Sequence, residues 1–212
     1  MKDFLDRIRK PKMILPLWAK VAVSAGLFTI GVLIGVLQKR LDSIPVNELP
    51  AFCACLDIGN FFGRLGIWLL IGTVISVYSH TPLRAALNVF LFFTGMLAGY
   101  YAYCKFALGF FPASYAAVWV TIALVSPFLA FICWYAKGSG AAAVIISGII
   151  LGVLFSQAIL LLQGIRITHL TEVFVLAAGL IVLLRRPKEL LPMMGVMLGT
   201  ALLYQLIIPY WG

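Results

Sequence analysis

Apolar residues run in seven long blocks along this chain, and the charged residues fall almost entirely in the gaps between them. The blocks are drawn at about 16–37, 61–79, 83–104, 112–136, 141–163, 170–184 and 189–209, each read as a helix crossing a bilayer. Short polar breaks divide them, the clearest being His80-Thr81-Pro82, Lys137 to Gly140 and Arg185 to Lys188. The block at 170–184 is the shortest, so either its helix begins earlier, near Ile167, or the bilayer thins around it. Before the first block, residues 1–12 have another pattern: Phe4, Leu5 and Ile8 share one helical side, and Asp3, Asp6, Arg7 and Lys10 take the rest. Such a segment is amphipathic, suits the headgroup layer, and ends at Pro11.

Composition agrees with lipid as the solvent. Hydrophobic residues make up 63% of the 212 positions and mean hydropathy is +1.08. A soluble core could not hide so much apolar surface. The expectation is an all-α, polytopic transmembrane helical bundle of about seven spans, forming one domain over 1–212. The net charge of +9 changes this picture only by orienting it. With the N-terminus inside, Lys2, Arg7, Arg9, Lys10, Lys12, Lys20, Arg84, Lys137, Arg185, Arg186 and Lys188 lie at the cytoplasm. Lys39, Arg40, Arg64, Lys105 and Arg166 are left outside, so most of the 16 Lys and Arg obey the bias of cytoplasmic loops toward basic residues. The positive charge is thus explained without nucleic acid.

Glycines four apart mark close-packing faces at Gly31/Gly35, Gly95/Gly99, Gly148/Gly152 and Gly195/Gly199. Ser126-Pro127 interrupts the fourth block, where proline frees the carbonyl of Ala123; the result is a bend that Ser126 or a neighbouring helix satisfies, or the border of a cavity.

Candidate chemistry lies toward the outer ends. Polar groups at membrane depth need a partner or a purpose. Asp57, Asn60 and Arg64 are spaced to share one face of a helix beginning near Leu56. Gln157 sits deep in the fifth block, and Arg166, His169 and Glu172 follow at intervals of three. The connection 38–60 is the one long outer loop, apolar enough to lie over the bundle as a lid or a cover. The candidate substrate-binding set is therefore Asn60, Arg64, Gln157, His169 and Glu172, with Arg64 for an anionic group and Glu172 with His169 as a polar or protonatable pair. Metal, nucleotide and hydrolase motifs are missing, so no cofactor, metal or catalysis is expected. Cys53 and Cys55 are two apart rather than a redox pair; free thiols or a bridge from that loop to Cys104 both stay open.

The stretch from Leu41 to Tyr103, through Asp57-Ile-Gly-Asn60, the Trp68 helix and Pro82-Leu-Arg-Ala-Ala-Leu-Asn88, resembles a group of small multipass membrane proteins of Gram-positive bacteria. That resemblance implies the bacterial plasma membrane. In architecture the chain is also similar to the substrate-binding subunits of energy-coupling-factor transporters, small N-inside proteins with a long first outer loop. It departs from them in its seventh span and in Ala19, Ala22 and Ala25, which are spaced three apart where those subunits space their docking alanines by four. The expected function is binding or translocating a small solute through an outward-facing polar pocket. The alternative is a non-catalytic accessory or assembly subunit. The expected partners are the lipid bilayer and either a membrane partner subunit or an ATPase.

Overall fold

The computed structural model describes residues 2–11, 16–45, 48, 50–162 and 164–208. Gln163, Trp211, Lys12 and the Val46, Asn47 and Leu49 positions of the long connection lie outside them. The elements are α1 (Lys2–Ile8), α2 (Leu17–Asp42), α3 (Ala51–Cys55), α4 (Ile58–Phe61), α5 (Leu65–Tyr78), α6 (Pro82–Ala107), α7 (Ala113–Trp134), α8 (Gly140–Ala158), β1 (Ile159–Leu160), β2 (Arg166–Ile167), α9 (Leu170–Val182) and α10 (Pro187–Ile207). A single 3-10 turn, Tyr135–Lys137, follows α7. Among the described residues, five helices are long and apolar enough to cross a membrane: α2, α6, α7 with its 3-10 turn, α8 and α10. This is the make-up of a membrane-embedded protein. The helices α5 and α9 are shorter, at 14 and 13 residues. At 1.5 Å per residue each reaches about 20 Å, against about 30 Å of hydrocarbon.

The long helices pair through their glycines. A methyl on Gly31 or Gly35 would overlap the Phe92 or Met96 carbonyl of α6, and one on Gly95 or Gly99 would overlap the Phe28 or Val32 carbonyl of α2. Contacts climb both helices together, from Ser24 with Asn88 to Asp42 with Tyr100, so α2 and α6 run parallel. Helices α8 and α10 repeat the arrangement. Gly148 meets Val196 and the Met193 carbonyl, Gly152 meets Thr200 and the Met197 carbonyl, and Ser156 donates to the Ala201 carbonyl at 3.2 Å. That pair is also parallel.

Two parallel helices adjacent in a bundle need a return between them, and in each case the return is a short helix: α5 between α2 and α6, α9 between α8 and α10. The chain is therefore long–short–long twice, joined by α7. Gly195 and Gly199 break the likeness, because nothing lies within 4 Å of where their side chains would be. Their glycine pair does not pack inside the chain.

Local sequence explains the ends. Thr81 caps α6, its hydroxyl accepting from the Arg84 N–H at 3.1 Å, with Pro82 in the first turn where its missing N–H costs nothing. Helix α7 continues through Pro127 because the Ser126 hydroxyl donates to the freed Ala123 carbonyl at 2.8 Å. The bend is thus satisfied within its own helix. Segment α1 is seated on the bundle: Leu5 and Ile8 pack with Ala85, Trp134 and Tyr135, and Arg9 donates to the carbonyls of Trp134 and Val77 (the latter at 2.8 Å) while lying 4.2 Å over the Trp134 ring. At the same end Arg185 donates to the Ala136 carbonyl at 2.6 Å and pairs with Glu189 at 2.7 Å. Asn88, one helical turn beyond Arg84, is buried. It joins Ser24 of α2 at 2.8 Å to Ser79 of the α5–α6 turn at 3.3 Å.

Candidate functional site

At the end opposite α1, the first return differs from the helix expected over 61–79. Helix α2 runs on to Asp42, so residues 38–42 belong to it rather than to a loop. The remaining connection contains α3 and α4. Asp57 stands before α4 with φ 51°, a left-handed conformation that aspartate accepts more readily than most residues. Asp57, Asn60 and Arg64 therefore do not share a face of one helix. The chain turns between α4 and α5, and Phe62 marks the turn: its carbonyl accepts from Gln38 of α2 at 3.0 Å and from the Trp68 indole of α5 at 2.7 Å. The three polar residues still meet, by folding rather than by helical spacing. The Asn60 amide donates to Asp57 Oδ1 at 2.8 Å, and Arg64, the residue before α5, forms an ion pair with Asp57 Oδ2.

The second return supplies the other wall. Helix α8 ends at Ala158 rather than near 163, and the chain forms a two-stranded hairpin pairing Ile159 with Ile167 and Leu160 with Arg166. Gly164 occupies its turn with φ 90°, a conformation suited to glycine. Gln205 of α10 holds the hairpin, donating to the Ile159 carbonyl at 2.8 Å and accepting from the Leu161 N–H at 2.9 Å. Thr168 secures its far side, its hydroxyl reaching the Ala158 carbonyl at 3.1 Å. His169 then precedes α9, with Thr171 and Glu172 buried in its first turn.

The starts of the two short helices come together. Arg64 donates to the Thr171 hydroxyl at 3.1 Å, and His169 Nε2 lies 3.9 Å from Asp57 Oδ2. Glu172 is 1% exposed, and its carboxylate rests on Gly66 in the first turn of α5, where any side chain would overlap it. Neither Glu172 oxygen has a hydrogen-bond partner among the described residues. Because Arg64 takes the Asp57 carboxylate, burial and then the Arg64 charge dominate at His169 and hold its pKa below the usual value.

Of the candidate residues, Asn60, Arg64 and His169 thus gather around Asp57, and Glu172 lies beside them against Gly66, next to the Thr171 that Arg64 touches. Gln157 takes another direction: its amide donates to the Tyr204 hydroxyl of α10 at 3.2 Å. The Gly148–Gly152 side of α8 faces α10 and continues through Ser156, which donates to the Ala201 carbonyl, while Gln157 next to it reaches Tyr204 at the end of the same pair. Sequence reasoning placed Asp57 on a face with Asn60 and Arg64 but left it out of the candidate set, and overlooked Thr171, Thr168 and Gly66. Thr171 was detectable as the neighbour of Glu172; Gly66 carries no signal until its opposite number is known. Cys53, Cys104 and Cys133 are free thiols.

Among the hollows away from this cluster, two are of note. One, of about 100 Å³ between α5, α6 and α7, is lined by apolar groups including Leu69, Val89, Phe93 and Trp119. The other, of about 330 Å³ at the α1 end, is lined by Lys20, Val23, His80, Thr81, Leu83, Arg84 and Asn88. The chain matches no family model, no curated protein and no solved structure.

Proposed function

We propose that this is a multipass protein of the bacterial plasma membrane that binds or translocates a small solute, engaging it at the Asp57–Arg64–His169 side of the cluster, next to the sealed Glu172. On this reading α5 and α9 are short crossings, making seven, and the N-terminus is cytoplasmic. The observation that carries it is the meeting of two short-helix N-terminal ends at one polar cluster, between two like triplets of helices. Helix starts present unpaired N–H groups and partial positive charge. Interrupted helices in corresponding positions of two halves are where transporters place their sites. Arg64 would hold an anionic group, and the α3–α4 connection would lie over it.

The test is a thermal-shift screen of small anionic and zwitterionic solutes on the protein in nanodiscs, with Arg64→Ala alongside. A solute that raises the melting temperature of the parent and not of the variant supports the reading. No shift with any solute, or equal shifts in both proteins, overturns it.

One observation favours the second reading, an accessory subunit of a larger membrane complex: Gly195 and Gly199 form a close-packing pair with nothing among the described residues against them. Stoichiometric co-purification with one membrane protein, lost in Gly199→Leu and without any solute response, would select it.

A further inference from the structure

Glu172 is packed between the two short helices with no hydrogen-bond partner among the described residues. Its carboxylate donates to nothing, accepts from nothing among the described residues, and is sealed from solvent against the bare Cα of Gly66. An ionised carboxylate in such a place lacks the donors that would replace its water. A solute group would need room that the contact with Gly66 does not leave; a proton needs none. The charged and titratable groups that face it are few. Arg64, the residue before α5, acts on it directly, and Asp57 and His169 stand behind Arg64. Helix α8, packed along α9, brings Leu151, Leu154 and Ala158 to the same core.

We propose that Glu172 is a proton-exchange site, and that Arg64 changes partner from Asp57 to Glu172 when the proton leaves. The step balances simply. The carboxyl O–H breaks, the proton passes to water at the exposed side of the cluster, and Arg64 keeps its charge throughout. Asp57, released, retains the Asn60 amide 2.8 Å away and still has the His169 ring 3.9 Å away. Arg64 already touches Thr171, the residue before Glu172, so the move is a rotation of the guanidinium rather than a displacement of α5. Since Arg64 belongs to the first triplet and Glu172 to the second, the proton would alter the contact between the two halves. The inference rests on the proposed function only in using the same cluster, because proton exchange can be read without any solute.

The experiment is pH-difference infrared spectroscopy of the full chain in nanodiscs. The parent is expected to show a carboxylic-acid carbonyl band that vanishes as pH rises, and Glu172→Gln to lack it. A parent without such a band, or a Glu172→Gln protein that keeps it, overturns the proposal. If Glu172→Gln does not fold, Asp57→Asn decides. Freeing Arg64 should move the band's midpoint to lower pH, by a tenfold or greater rise in proton concentration, and an unmoved midpoint overturns the proposal. A proton band without any solute response would leave this inference standing and defeat the solute reading.

Discussion

The two triplets share a plan and differ in how tightly it is executed. In α2–α5–α6 both long helices contribute glycines to the seam, and each would strike the other's backbone if it gained a side chain. In α8–α9–α10 only α8 does so; the α10 glycines face away, and Val196 and Thr200 fill the seam instead. The returns differ too. The first is two short helical turns pinned through Phe62, and the second is a β-hairpin gripped by Gln205. One half thus contributes a cation at its short helix and the other a carboxylate. A repeated frame with unequal contents permits a site that neither half could build alone.

This contrast can be broken experimentally, and the largest effect belongs to the first seam. Gly35→Leu should cost about 3 kcal/mol or more, since backbone rather than a movable side chain stands in the way. It should appear as loss of folded protein or a steep fall in the unfolding midpoint in detergent. Gly152→Leu should cost less, about 1–3 kcal/mol, because the Met197 carbonyl leaves more room there than Met96 leaves at Gly35 and the Thr200 side chain can give way. Equal losses at the two positions would show that the seams are equivalent after all.

A smaller effect is expected from Ser126→Ala, which leaves the Ala123 carbonyl without its donor. About 1 kcal/mol is the scale, read from the same unfolding curves. The pH response of His169 is smaller again. Its pKa is depressed on folding, so the unfolded chain binds the proton more readily and stability rises with pH. The parent should therefore lose stability as pH falls from about 7 through the ordinary histidine value of about 6.5. His169→Gln should flatten that part of the curve, and an unchanged slope would assign the response elsewhere. Last, Gly199→Leu should shift the midpoint of the isolated chain by no more than about 0.5 kcal/mol. A large loss there would mean that α10 uses its glycines within this chain.

Much of the helical frame was legible because hydropathy reports burial in lipid directly. Helix α9 falls within its expected bounds of 170–184, and the Ser126–Ala123 bond answers the proline as its chemistry requires. Helix ends were harder. The 38–60 connection was drawn too long because Lys39, Arg40 and Asp42 look like loop residues, yet Lys39 and Asp42 are paired at 2.6 Å on the last turn of α2. The break between Asp57 and Arg64 was missed since a turn at Phe62-Gly63 leaves the polar spacing compatible with a helix. The hairpin after Ala158 was hidden because Ile159, Leu160, Leu161 and Leu162 serve a strand or a buried helix equally well. Asn60, Arg64, His169 and Glu172 could be picked by the cost of polar groups at depth. Gln157 satisfied that same criterion and is engaged with Tyr204 instead, since depth alone says nothing about direction around a helix.

The seating of Arg9 bears on how the molecule is assembled. Its guanidinium spans a separation of 125 residues to the Trp134 carbonyl and closes the ends of both α5 and α7. During synthesis that contact must wait until Trp134 has emerged, so α1 can take its seat only after α2, α5, α6 and α7 have been made. Segment α1 with Arg9 then works as a clasp, fastened after the helices it secures have been made.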